Sequence, residues 1–311
     1  MSAAAPPRRL VGTVRHGDRA LQTVTLGSVV LILAMLVVLL GDVALGGART
    51  LTWEFLTAAP RDGMTAGGVF PAIFGTVALT LLMTLAAVPA GVATAIYLTE
   101  FASTESRLAR LIRVSVSNLA GVPSIVFGLF GLGFFIATVG KAIDGVAFGG
   151  QPTYGKPCLL WSSLTLAILT LPVVVVATEE AILAVPRELR DGSLALGATR
   201  MQTILRVVLP EAMGGILTGT ILAVSRGAGE VAPILFTGVA YYLPYLPSHL
   251  NDPFMSLGYH VYVLATQSPD VDRTKPLLYG TALVLLILTF LLNLAAIWIR
   301  SRTRRHSRAA A

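Results

Sequence analysis

Six stretches of this chain are long and apolar enough to cross a lipid bilayer, at about 24–45, 69–98, 118–138, 159–184, 212–240 and 277–299. A crossing needs roughly 20 such residues. Lipid offers no partner for a free backbone N–H or C=O, so each crossing must be helical. The expectation is an all-α, polytopic membrane protein with six transmembrane helices. Composition agrees, since 55% of residues are hydrophobic and 13% charged, whereas soluble domains carry about 25% charged residues. A water-soluble enzyme is excluded. The first stretch follows the basic PPRRLVGTVRHGDR, as a secretory signal would. Its apolar run exceeds a signal core, so it is read as a true span. Pro89, Pro172 and Pro233 predict kinks.

The net charge of +7 does not form a nucleic-acid-binding face, because the basic residues sit in short segments between apolar runs. They act instead as an orientation signal. One side holds Arg8, Arg9, Arg15 and Arg19, then Arg107, Arg110 and Arg113, then Arg187, Arg190, Arg200 and Arg206. The tail from Arg300 to Arg308 brings that side to sixteen. The other side holds six: Arg49, Arg61, Lys141, Lys156, Arg273 and Lys275. Both termini are therefore expected in the cytoplasm. The organisation follows: a tail over 1–23, a first helix over 24–45, a transmembrane domain over 69–299 and a basic tail over 300–311.

The remaining basic residue is Arg226, in GTILAVSRGAGEVAPILFTG (219–238), with Glu230 one helical turn on. An arginine at the bilayer centre costs about 2.5–3.5 kcal/mol on insertion scales. A self-neutralising ion pair is the bland reading, yet an apolar pair would serve stability as well. Intramembrane charges more often face an aqueous path. A guanidinium offers a fork of donors suited to an oxyanion such as phosphate. Arg226 is thus the candidate anion ligand and Glu230 its partner. Gly215, Gly219, Ala223 and Gly227 recur every four residues on the same segment, a ladder that lets another helix approach closely.

Other chemistry is not encoded. Cys158 is the single cysteine, His249 and His260 have no companions at a metal spacing, and no phosphate-cradling G-x-x-x-x-G-K-[ST] occurs. No cofactor is expected on this chain.

The segment VPRELRDGSLALGATRMQTILRVVLP (185–210) is too polar to span. It reads as a short amphipathic helix over 188–196, then Gly197, then a second helix toward Pro210. A glycine between two helices commonly takes positive φ. From Gly197 to VVLP the spacing resembles the coupling loop of ABC-importer permeases, E-A-A, three residues, Gly, nine residues, then I-x-L-P. Here the triplet is Asp191, Gly192 and Ser193, Val207 stands at the isoleucine, and Pro210 closes the pattern. More stretches resemble the phosphate-specific permease branch of the PstA type: LAGVPSIVFGLFGLGFF (119–135), TLPVVVVATEEAILAVPRELR (170–190), SRGAGEVAP (225–233) and DPFMSLGYHVYVLATQSPD (252–270). Departures from the branch are Gly227, Val231 and, where some members carry a second arginine, Val176.

The resemblance implies a type I ABC-importer permease (MetI-like) fold and an inner-membrane subunit importing inorganic phosphate. It implies a homologous permease partner of the PstC type, two copies of a P-loop ATPase that use ATP and Mg, and an extracytoplasmic phosphate-binding protein. Loop 186–210 would dock on the ATPase, and Glu179 becomes a candidate for the path. Sulfate or molybdate permease, or a stand-alone secondary transporter, are the alternatives. Tyr241, Tyr242, Tyr245, Phe254 and Tyr259 suit an outer membrane interface.

Overall fold

The computed structural model describes residues 14–309, positions 104 and 269 excepted. Arg8 and Arg9, and the side chains of Arg15, Arg19, Arg304, Arg305 and Arg308, lie outside the described residues. Six helical segments among the described residues are long and apolar enough to cross a membrane.

The first is α1 (Val14–Ala48), followed by the short α2 (Trp53–Thr57) and a two-residue pairing of Pro60–Arg61 with Ala66–Gly67. The second span is α3 (Phe70–Ile96), which starts with Pro71 in its first turn, where a missing N–H is harmless. It ends in a π-helical turn, Tyr97–Phe101. Next is α4 (Arg107–Ala120), an amphipathic helix whose N-cap Ser106 accepts the Ala109 N–H at 3.3 Å. Pro123 then opens α5 (Ser124–Phe130), continued by a π-helical stretch (Gly131–Gly140) and α6 (Lys141–Ala147) as the third span. The fourth span is α7 (Leu159–Leu183). Short helices α8 (Arg187–Ala195) and α9 (Arg200–Thr203) lead through a π turn (Ile204–Val208) into α10 (Leu209–Ala228). After a looped segment come α11 (Leu257–Thr266) and the last span, α12 (Val271–Ala309).

The central post is α7, with 67% of its apolar window buried against 0% for α1. Small residues set its contacts. A Cβ built on Gly219 would lie 2.5 Å from the Ala177 methyl, and one on Gly215 would lie 2.4 Å from that of Ala181. A Cβ on Gly227 would meet the Met83 sulfur on α3 at 2.2 Å. The predicted ladder is therefore a packing seam on two neighbours. Val in place of Gly219 is expected to cost about 1–3 kcal/mol by overpacking. The purified protein should melt several degrees lower, whereas Val at Gly145, which meets nothing within 4 Å, should leave the melting temperature unchanged.

Two predicted spans need correction. The third was expected over 118–138 and runs Ser124–Ala147, because Gly121 and Pro123 end one helix and start another. The fifth was expected over 212–240 and runs Arg200–Ala228. Its N-terminal part continues out of the loop, and residues 229–240 leave the helix at Gly229, ahead of Pro233. Phe254, expected at a membrane interface, is fully buried in the core with Leu79, Met83 and Ile234. His260 is buried on α11.

Candidate functional site

Arg226 occupies the last turn of α10. The uncompensated carbonyls of a helix C-terminus favour a cation there. Ser225, its neighbour, donates through Oγ to Asn293 Oδ1 at 2.6 Å. On the same two helices, Arg300 Nη1 donates to Thr218 Oγ1 at 2.9 Å. Asn293 lies seven residues before Arg300, about 10 Å along α12. With Arg300 marking the arginine-rich boundary, Arg226 sits well inside a hydrocarbon layer of roughly 30 Å.

Glu230 lies beyond the helix end, its N–H donating to the Gly227 carbonyl at 3.3 Å. Its Oε1 is 3.8 Å from Arg226 Nε, with side-chain exposures of 23% and 45%. At 3.8 Å the two attract each other without a formed hydrogen bond. The guanidinium fork therefore remains available. Leu222, one turn earlier, is exposed on the same side, and Val176 on α7 is also exposed.

Irregular backbone follows directly, with one 3-10 turn at Ile234–Phe236, and its 233–238 part packs against protein. Gly128 on α5 lies against Pro233, and Gly131 against Thr237. Thr237 Oγ1 and Ser162 Oγ share a hydrogen bond at 3.0 Å, and Cys158 N–H donates to the Thr237 carbonyl at 2.9 Å. Gly258, at the start of α11, abuts Val231. Irregular backbone at membrane depth is tolerated only where protein buries it or a cavity lies beside it, and half-helix ends are ready ion sites.

The structure does not bring Glu179 to Arg226. Gly219 opposes Ala177 and Gly215 opposes Ala181, which puts Glu179 level with residue 217. That is nine residues from Arg226, about 13 Å along the helix. Its Oε1 pairs instead with Arg113 Nε at 3.5 Å.

Loop 186–210 forms as a helix, a turn and a second helix. Asp191, Gly192 and Ser193 lie on α8, Gly197 has φ +86°, and Thr199 with Gln202 makes a capping box that opens α9. Pro210 stands in the first turn of α10. Leu196, beside Gly197, is 91% exposed.

Sequence reasoning missed the charges beneath this loop. Glu100, Arg190 and Arg200 surround a cavity of about 450 Å³ that Arg187 and Asp191 also border. In sequence Glu100 reads only as the polar end of a span. On the opposite side, Asp252 accepts the His249 and Ser248 N–H groups at 2.8 and 2.9 Å. The first of these chiefly holds its carboxyl below the usual range. Among the described residues no group of His, Cys, Asp and Glu could hold a metal ion.

Helices that cross the membrane, a helix broken at a charged site within it and a projecting helical loop together define a multi-pass membrane permease. Residues 87–305 match the binding-protein-dependent transport system inner membrane component family, and the chain belongs to that family. A relative in Mycobacterium tuberculosis, named phosphate transport system permease protein PstA 1, is 37% identical over 244 residues, 78% of this chain and 73% of its own length. The probable ABC transporter permease protein YqgI of Bacillus subtilis is 30% identical over 282 residues, 86% of this chain and 90% of its own. Among solved structures, a bacterial alginate ABC transporter aligns over 96% of this chain and 98% of its own, with TM-score 0.64 at 16% identity. The MetNI methionine ABC transporter in an inward-facing form aligns over 75% and 94%, with TM-score 0.56 at 18% identity. These two likenesses establish the fold alone.

Proposed function

We propose that this chain is the transmembrane subunit of an ATP-driven importer of inorganic phosphate, with Arg226 as the anion's ligand in the path. The observation that carries the reading is Arg226 in the last turn of a helix apolar enough to span, 3.8 Å from the Glu230 carboxylate and not hydrogen-bonded to it. Phosphate is favoured over sulfate or molybdate by the relatives, since those from Mycobacterium tuberculosis, Mycobacterium leprae and Haemophilus influenzae are all named for phosphate transport.

The arginine-rich side, which carries loop 186–210 and the C-terminal end of α12, faces the cytoplasm by the positive-inside rule. The loop docks on a P-loop ATPase, present in two copies, which uses ATP and Mg. Leu196 is the apolar knob offered to its groove, beside Asp191, Gly192 and Gly197. Leu222, Val176 and the half-exposed Arg226 face a homologous permease of the PstC type, which closes the other half of the path. An extracytoplasmic phosphate-binding protein delivers the anion to the opposite side, near the exposed Tyr241 and Tyr245.

ATP binding moves the loop, and the helices reorient around Arg226. A site with equal affinity in both orientations would shift nothing, so it must weaken toward the cytoplasm. Glu230 supplies the means by recapturing the guanidinium. Glu179 stands at the cytoplasmic mouth, held by Arg113, where it repels rebinding of the released anion.

The test is uptake of radiolabelled phosphate by vesicles holding the four-component complex. Uptake should require ATP and the binding protein, and a hundredfold excess of sulfate or molybdate should not compete. Competition by either at parity with unlabelled phosphate would transfer the reading to that oxyanion.

A further inference from the structure

A second charged cluster lies where α3 ends, apart from the Arg226 site. Glu100 occupies the π-helical turn Tyr97–Phe101, with 9% of its side chain exposed. A carboxylate so buried is costly unless paired. Its partner comes from α8: Arg190 Nη1 lies 2.8 Å from Glu100 Oε1. Through Nη2 the same guanidinium donates to the Ile182 carbonyl at the end of α7, at 2.6 Å. From the far leg of the loop, Arg200 donates through Nη2 to the Glu100 carbonyl. Its guanidinium also lies over the Phe101 ring, 5.4 Å from the centroid. Both legs of loop 186–210 are thereby fastened to one residue.

The local cause is the π turn. Its wide bond, from the Ala102 N–H to the Tyr97 carbonyl at 2.8 Å, leaves carbonyls without helical partners. Arginines satisfy them, since Arg113 Nη2 takes the Leu98 carbonyl at 3.0 Å and Arg200 takes that of Glu100. From this knot α3 runs back to Met83, seventeen residues or roughly 25 Å away. Met83 packs on Gly227, adjacent to Arg226. One helix thus joins the loop's anchor to the turn that carries the anion ligand.

We propose that Glu100 is a positioning residue for transport: with Arg190 and Arg200 it fixes the loop rigidly to α3, so that displacement of the loop becomes displacement of α3 against the Arg226 turn. The proposal rests on the reading of the chain as a phosphate permease whose loop docks on an ATPase. An ion pair held for stability alone would have no advantage over an apolar contact, whereas two charged groups with carbonyl bonds on both sides fix one geometry.

The experiment measures phosphate moved per ATP hydrolysed in vesicles holding the full complex, for Glu100→Gln, Arg190→Gln and the double variant. Each single variant should assemble and hydrolyse ATP within twofold of wild type, yet move at least tenfold less phosphate per ATP. The double variant should be no worse than either single. A ratio within twofold of wild type for Glu100→Gln, or a double variant whose loss is the product of the two single losses, overturns the proposal. Should Glu100→Gln not assemble, Glu100→Cys with Arg190→Cys decides, because the only native cysteine, Cys158, is buried. Bridging the pair with a short thiol crosslinker should raise the ratio at least fivefold; an unchanged ratio overturns the proposal. Wild-type complex that moves no phosphate while the binding protein stimulates its ATPase would strike the substrate reading instead. Radiolabelled sulfate or molybdate then replaces phosphate in the ratio of anion moved per ATP, and the same fold-changes support or overturn the role of Glu100.

Discussion

Replacing Arg226 by glutamine is expected to abolish phosphate uptake, by a hundredfold or more, while the complex still assembles. The side chain is 45% exposed in this subunit. Removing it therefore creates no cavity. What is lost is the charge-assisted fork: two hydrogen bonds to a charged group at about 1.5–3 kcal/mol each amount to at least a hundredfold in affinity. Lysine should restore part of the activity, since it keeps the charge but not the planar pair of donors. Orphaning Glu230 in the membrane is a competing explanation, because an unpaired buried carboxylate is itself destabilising. The variant carrying both Arg226→Gln and Glu230→Gln separates them. It should remain inactive if Arg226 binds the anion, whereas recovery of uptake would mean that the arginine only neutralises the glutamate. Uptake by Arg226→Gln within twofold of wild type, at equal protein in the vesicles, ends the ligand assignment.

The membrane crossings were legible because lipid allows one backbone solution, and hydropathy reports it. Gly197 was legible for a similar reason: a helix, a glycine and a second helix leave few backbone choices, and φ is +86°. The fifth span was misplaced at both ends by the same ambiguity. Val231, Ala232, Ile234 and Leu235 are as apolar as a lipid-facing helix, but Ile234 is fully buried and the other three are half-buried against protein, and hydropathy cannot tell protein from lipid surroundings. At the other end, Ile204, Leu205 and Val208 belong to a helix that continues out of the polar loop. The amphipathic α4 was unreadable as a helix because its arginines, Arg107, Arg110 and Arg113, served equally well as a loop's orientation signal. Glu179 was drawn toward the path by its place in a resembling motif, and only the α7–α10 register shows it level with residue 217 and bound to Arg113. The pairing of Glu100 with Arg190 leaves no local trace at all. Its partners lie on separate elements and meet only once α3, α7 and α8 have packed.

The Gly197 turn yields the other large effect. Backbone bonds from the Gly197 N–H to the Leu194 carbonyl at 3.0 Å and from the Ala198 N–H to the Ser193 carbonyl at 3.2 Å close α8 in a Schellman motif. That motif needs its turn residue in the left-handed region, where Gly197 lies. A Cβ there would meet nothing within 4 Å, so any penalty for a substitution comes from the backbone and not from a clash. For ordinary L-residues the left-handed region costs roughly 1–2 kcal/mol, and a β-branched side chain is a genuine outlier in it. Gly197→Val should therefore open the turn, swing α8 away from α9 and break the bridge between Ser193 Oγ and Thr203 Oγ1, now 2.9 Å. The expected result is loss of transport with at least a fivefold drop in ATPase recovered on the purified membrane complex. Gly197→Asn, which tolerates the left-handed region, should keep most of both. Arg226 lies nearly twenty residues along α10, so retained anion protection of the detergent-solubilised protein against unfolding would separate a docking defect from global damage. Full ATPase retention with normal phosphate-stimulated hydrolysis in Gly197→Val would reduce loop 186–210 to a connector, and the proposed docking role would go with it.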